Sequence, residues 1–231
     1  MLPNVALRPH RSLLARAALA AVTLALAVST AACTATATPV PDPSSPCGGA
    51  DVQRGAGFYP DLEKLVPPTL AGATPTIRDS GRYCSTKTLG PLATRHDEVR
   101  FAGATFPRTS QSGISLIVYN APGLTADEVG DAFRAGSGTG RQTELVSDAP
   151  RQVGGRTGRR IELINGNTRQ VVVVWPSRTP GDVLIVIVVD VSNAAIDDAV
   201  AAFDGFGAGR GSPPAAPSGG YHAGASPARA V

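Results

Sequence analysis

Three histidines, three cysteines, one tryptophan and one methionine in 231 residues leave this chain short of the side chains that most catalysis and metal chemistry use. His10 lies near the N-terminus and His222 in the C-terminal tail, so His96 alone falls within the central region. One histidine cannot complete a zinc set, and any serine–histidine triad would have to run through it. No G-x-S-x-G, H-E-x-x-H or S-x-x-K occurs, and no paired-cysteine metal spacing. No catalytic residue, metal or cofactor is therefore expected. An excess of charge is missing too. The chain holds 21 basic and 18 acidic residues, but Arg8, Arg11 and Arg16 fall in the first 32 residues, which contain no acid. The rest carries 21 − 3 = 18 basic against 18 acidic residues, which gives no support for a nucleic-acid partner.

What is present begins with an address. The three arginines precede the apolar run Ala17–Val28, which is short of the ~20 residues that cross a bilayer as a helix and has the layout of a secretory signal peptide. The run ends Ser29-Thr30-Ala31-Ala32-Cys33, which resembles the lipobox of bacterial lipoproteins, with Thr30 where leucine is usual. By that resemblance residues 1–32 are removed and Cys33 carries a lipid. Cleavage after Ala35-Thr36-Ala37, which discards Cys33, is the alternative. With Cys33 acylated, Cys47 and Cys84 remain as an even pair in an oxidising compartment, and a disulfide between them is expected.

Residues 33–56, rich in Thr, Ala, Pro and Ser, read as a flexible spacer. Residues 57–206 are one domain's worth of chain, and 207–231 turn to Gly, Pro, Ala and Ser as a disordered tail. Within the domain the densest signal is Arg156–Val191. Arg159–Ile164 and Thr168–Trp175 read as strands around Asn165-Gly166, taken as the central pair of a type I′ turn. VLIVIVV, Val183–Val189, does not alternate and so is expected to be covered on both faces. Val99–Phe106, Ile114–Tyr119 and Gln142–Val146 read as further strands, with weak ones at Ala73–Asp79 and Arg82–Thr86. Thr125 and Glu128 form a capping box, with Leu124 and Val129 as its hydrophobic staple, for a helix running to about Ala135. Ser192 caps a second helix to about Phe203, with Ile196, Ala199, Val200 and Phe203 on one stripe. Asp61–Val66 reads as a helical turn capped by Asp61. The expectation is α+β: a mostly antiparallel sheet of about six strands with two main helices, arranged as two β–β–α units.

Two polar features remain. His96-Asp97-Glu98 reads as a solvated loop, because adjacent residues on extended chain point apart. Arg156, Arg159, Arg160 and Arg169, near the first hairpin, are placed to meet an anionic partner; a charged edge strand is the plainer alternative. The glycine-rich run Gly136–Gly140 follows a helix and lacks a lysine, so it is a helix stop and not a phosphate loop.

The lipobox around Cys33, the spacer and the Val153-Gly154-Gly155 turn leading into two long strands and a terminal helix resemble the cell-envelope lipoproteins of high-GC Gram-positive bacteria with a PsbP-like α+β domain. The resemblance implies a lipid-anchored protein on the outer face of the cytoplasmic membrane, with no common chemistry to carry over. The expected function is a non-catalytic binding or interaction module, its partner an envelope protein or a small ligand. The alternatives are a secreted enzyme working through carboxylates and a secreted protein without lipid. An apolar cavity would favour a small ligand; a solid core with a flat apolar patch would favour a protein.

Overall fold

Strand Val183–Val189 needs apolar neighbours above and below, and the fold supplies both. The computed structural model describes residues 42–47, 52–137 and 143–208. Cys33, the signal segment, the first part of the spacer, Gly138–Gly140 and the tail from residue 209 lie outside the described residues. Eight strands form one sheet: β1 Val52–Gly55, β2 Ile77–Tyr83, β3 Val99–Pro107, β4 Gly113–Asn120, β5 Thr143–Val153, β6 Arg156–Asn165, β7 Thr168–Pro176 and β8 Asp182–Val189. Their order is β1-β2-β3-β4-β8-β7-β6-β5, and every neighbouring pair is antiparallel. The chain lays down one four-strand meander, passes through a helix to the far edge, and meanders back until β8 pairs with β4. Helices α1 Pro60–Glu63, α2 Thr86–Leu89, α3 Ala126–Ser137 and α4 Asn193–Ala208 accompany it, with a 3₁₀ turn at Gly90–Thr94 after α2.

This corrects the expected six strands and two helices. The small elements escape periodicity because they have no apolar pattern of their own. β1 is four residues long and lies in the stretch read as spacer; it is held by pairing with β2. β5 runs eleven residues along an exposed edge, carries Pro150, and has a bulge between Leu145 and Ser147. Edges tolerate such residues because one side of the ladder is unpaired. The two weak strands around Gly81 are one strand, β2. Nor do two β–β–α units form, since β8 inserts between the meanders and makes the sheet continuous.

Alternation within the apolar runs sends consecutive valines to opposite faces. Val171, Val173 and Trp175 meet Val186, Leu184 and helix α4 on one face. Val172, Val174 and Ile185 meet Leu124, Val129 of α3 and the α2–3₁₀ segment on the other. This is why Val171–Trp175 of β7 and Val183–Val189 of β8 show no polar positions. Both helices start as expected: Thr125 Oγ1 accepts from the Glu128 N–H at 3.3 Å and Glu128 Oε2 from the Thr125 N–H at 3.0 Å, and Ser192 Oγ accepts from the Ala195 N–H at 3.3 Å. α1 differs, since Tyr59 and not Asp61 stands at its N-cap. The β6–β7 turn is displaced by one residue. Asn165 pairs with Thr168, and only Gly166 has a positive φ, the pattern of a type II′ turn. The two-glycine turn is at Gly154-Gly155, both at positive φ.

Candidate functional site

The expected disulfide joins Cys47 to Cys84 with Cα atoms 5.4 Å apart, tying the segment before β1 to the end of β2. Beside it Arg82, 2% exposed, donates to Gln53 Oε1 at 2.6 and 2.8 Å, to the Ser45 carbonyl at 2.7 Å and to Glu98 Oε2 at 3.3 Å. A buried guanidinium needs this many acceptors to offset its desolvation. Glu98 also stands 3.2 Å from Cys47 Sγ, but bonded sulfurs offer no thiolate to a metal.

The four arginines named from the sequence do not share one surface. β6 sends Arg156 and Arg160 to the α4 face and Arg159 to the α3 face, and Arg169 on β7 joins the α4 group. Each has a carboxylate: Arg156 pairs with Asp204, Arg159 with Asp148 and with Asp131 at 2.8 Å, and Arg160 and Arg169 share Glu162. Arg169 foremost, then Arg160, holds the Glu162 carboxyl below its ordinary range. Both also donate to Asn193 Oδ1 at 2.9 Å, at the start of α4. Their guanidinia fasten helices to the sheet.

On the α3 face the packing leaves a groove of about 520 Å³ between the α2–3₁₀ segment and α3. Leu89, Leu92, Val129, Phe133 and Leu163 make its apolar walls. Tyr83, Tyr119 and Gln170 add polar groups, all half-buried, and exposed Lys87 contributes a cation. Tyr83 stacks on Phe101 with centroids 4.7 Å apart and meets Tyr119 edge-on at 5.9 Å. Burial foremost, with the neighbouring Tyr83, pushes the Tyr119 phenol well above its ordinary 10. It therefore stays a protonated donor at working pH. Among the described residues, the lining contains one cation and no carboxylate. Val129 stood out in the sequence as a staple residue, but none of these residues was singled out there as part of a site. They come from α2, α3 and four strands, and only the register brings them together; the one usable signal was two of the chain's four tyrosines at strand ends.

A second cleft of about 580 Å³ is polar, lined by His96, Asp97, Glu98, Arg100 and Asn120 among others. Here the solvated-loop expectation fails for His96. Its side chain is 6% exposed, with Nε2 lying 3.6 Å from Glu128 Oε2 and without a hydrogen-bond partner. The 3₁₀ turn draws the chain under the start of α3, and His96 N–H donates to the Leu92 carbonyl at 2.9 Å. Asp97 stays exposed and Glu98 turns toward Arg82. Arg95 at 2.6 Å, followed by Thr125, holds the Glu128 carboxyl down to about 2. The cleft's charges are largely satisfied internally: Arg95 by Glu128, Arg100 by Glu98 at 2.8 Å.

The class this geometry defines, among the described residues, is an α+β domain with a single antiparallel sheet, helices on both faces, and a mainly apolar groove beside α3. Comparison with models of known protein families gives no match, and comparison with curated proteins gives none. Among solved structures the chain is similar to cyanobacterial PsbP (CyanoP) from Synechocystis sp. PCC 6803, at 18% identity, over 71% of this chain and 94% of that one, with a TM-score of 0.28. That superposition is too loose to transfer anything to this chain.

Proposed function

We propose that this chain is an extracytoplasmic, membrane-anchored and non-catalytic module that binds a small ligand in the α3-side groove. The observation that carries the reading is the groove itself. Its volume of about 520 Å³ falls in the roughly 300–1,000 Å³ range of small-molecule sites, and apolar walls with a few polar groups are their usual composition. The Cys47–Cys84 bridge supports an oxidising compartment, and the residues around Cys33 support a lipid tether. Among the described residues no helix is long and apolar enough to cross a membrane.

The test is a neutral fluorescent probe, N-phenyl-1-naphthylamine, titrated with the folded domain. Emission is expected to rise on binding, and Ala132→Trp, which places an indole in the groove, is expected to abolish the rise without lowering the melting temperature. Equal enhancement by both proteins would refute the site. For the tether, mass spectrometry of the mature N-terminus is expected to find a lipid-modified Cys33. An unmodified peptide starting beyond it would leave a secreted, unanchored protein.

A further inference from the structure

We propose that Cys47, Cys84 and Glu98 form a site for a divalent ion of the zinc class once the bridge between the two cysteines is reduced. The proposal stands apart from the groove. Convergence carries it. Cys47 Sγ, Cys84 Sγ and a Glu98 carboxylate oxygen all lie within 4.8 Å of one another, and among the described residues no other three such side chains do so. Two thiolates and a carboxylate are a set that zinc accepts, with its fourth position left to water. The backbone is already spaced for it. Sulfurs sharing a tetrahedral ion at ~2.3 Å stand about 3.8 Å apart. From Cα atoms 5.4 Å apart, rotation of the two side chains reaches that separation.

The third ligand is free to serve. Glu98 Oε1 accepts from Arg100 at 2.8 Å. Oε2 faces Cys47 Sγ at 3.2 Å and has Arg82 at a longer 3.3 Å. Arg82 does not depend on that contact, because Gln53 Oε1 and the Ser45 carbonyl take its N–H groups at 2.6 and 2.7 Å. The two thiolates balance the ion, and Arg82 and Arg100 offset Glu98. In the reduced chain the ion replaces the bridge as the fastening of the segment before β1 to the end of β2. Opening the site takes a reductant, here a phosphine. It gives two electrons to the S–S bond and leaves as the phosphine oxide with oxygen from water, whose two protons go to the thiols. Binding the ion releases those protons.

The experiment is titration with Co²⁺, then Zn²⁺, of the mature chain carrying Cys33→Ser, which removes the third sulfur, before and after reduction with tris(2-carboxyethyl)phosphine. The reduced chain is expected to show thiolate-to-cobalt charge-transfer absorption saturating at one ion per chain and lost to Zn²⁺, the tighter binder. The oxidised chain is expected to show none. Cys47→Ser and Cys84→Ser are each expected to remove the band. Glu98→Gln is expected to weaken binding at least roughly tenfold, the scale for a group that supports a metal site. A reduced, folded chain without the band overturns the proposal, and so does equal affinity in Glu98→Gln. Where reduction alone loosens the fold, Zn²⁺ is expected to restore the amide spectrum of the oxidised chain. A chain that takes up Zn²⁺ and stays loose binds it through thiols outside any built site, which overturns the proposal as well.

Discussion

On the α4 face Trp175, Phe203 and Ile196 are fully buried, and the Trp175 N–H donates to Asp204 at 2.9 Å. On the α3 face Tyr83, Tyr119, Phe133 and Gln170 stop half-buried around an open groove. The same strands supply both, through alternate residues. The difference lies in the coverings. α4 is sixteen residues long and lays an apolar stripe across the sheet. The α3 face is shared by a twelve-residue helix, a four-residue helix and a 3₁₀ turn, and between them the groove stays open. One face is filled, and the other keeps an open groove. This division is the reason to look for function on the α3 face, where Tyr119 and Gln170 from the two strands flanking β8 line the groove.

Substitutions can break that division at either face. The largest loss is expected from Trp175→Ala, which opens a cavity on the filled face and removes one of the two donors to Asp204, leaving Arg156. About 5 kcal/mol, the upper end for such truncations, should be visible in urea unfolding, with bound probe affinity per folded molecule unchanged. Cys84→Ser comes next. Its bridge closes a separation of 37 residues, and the chain-entropy account assigns that about 4 kcal/mol; a fall in the urea midpoint matched by reduction of the wild type checks it. Glu128→Gln keeps an acceptor for the Thr125 N–H and loses the negative charge at the start of α3, which should cost up to about 1 kcal/mol. Its Arg95 partner is exposed, so the ion pair itself adds little.

The pH dependence of that residue has a definite sign. Because the folded carboxyl is lowered from 4.5 to about 2, its contribution is whole above pH 4.5 and is lost as pH falls toward 2. Wild type and Glu128→Gln are expected to differ in unfolding midpoint at pH 6 and to converge near pH 2; a constant gap would contradict the assignment. The smallest stability effect belongs to Phe133→Ala. Half-buried on the groove wall, it should cost below about 1 kcal/mol and yet weaken probe binding several-fold. A large loss of stability there would mean that the α3 face is core like the other.

Much of the framework could be read from residues alone. The valines of β7 and β8, the capping box at Thr125 and the Ser192 cap each state a local preference that tertiary packing respects. The even cysteine pair was legible for the same reason, since its logic is chemical. What escaped were elements defined by their neighbours: β1, recruited by β2 and the clasp at Arg82, and β5, an edge strand without apolar alternation. His96 escaped because its burial depends on a 3₁₀ turn that carries it under α3. The arginines were visible but their partners were not, as Asp204, Asp131 and Asn193 reach them from helices distant in sequence. The groove was least legible of all. A cavity is where side chains fail to meet, and no periodicity encodes that.

The most direct measurement is a ¹H–¹⁵N chemical-shift map of the domain with N-phenyl-1-naphthylamine added. Perturbed amides are expected at Leu89 and Leu92, along Val129–Phe133, and at Leu163 and Gln170, while Ile196–Phe203 of α4 stay in place. Shifts centred on α4, or spread evenly over both faces, would contradict it.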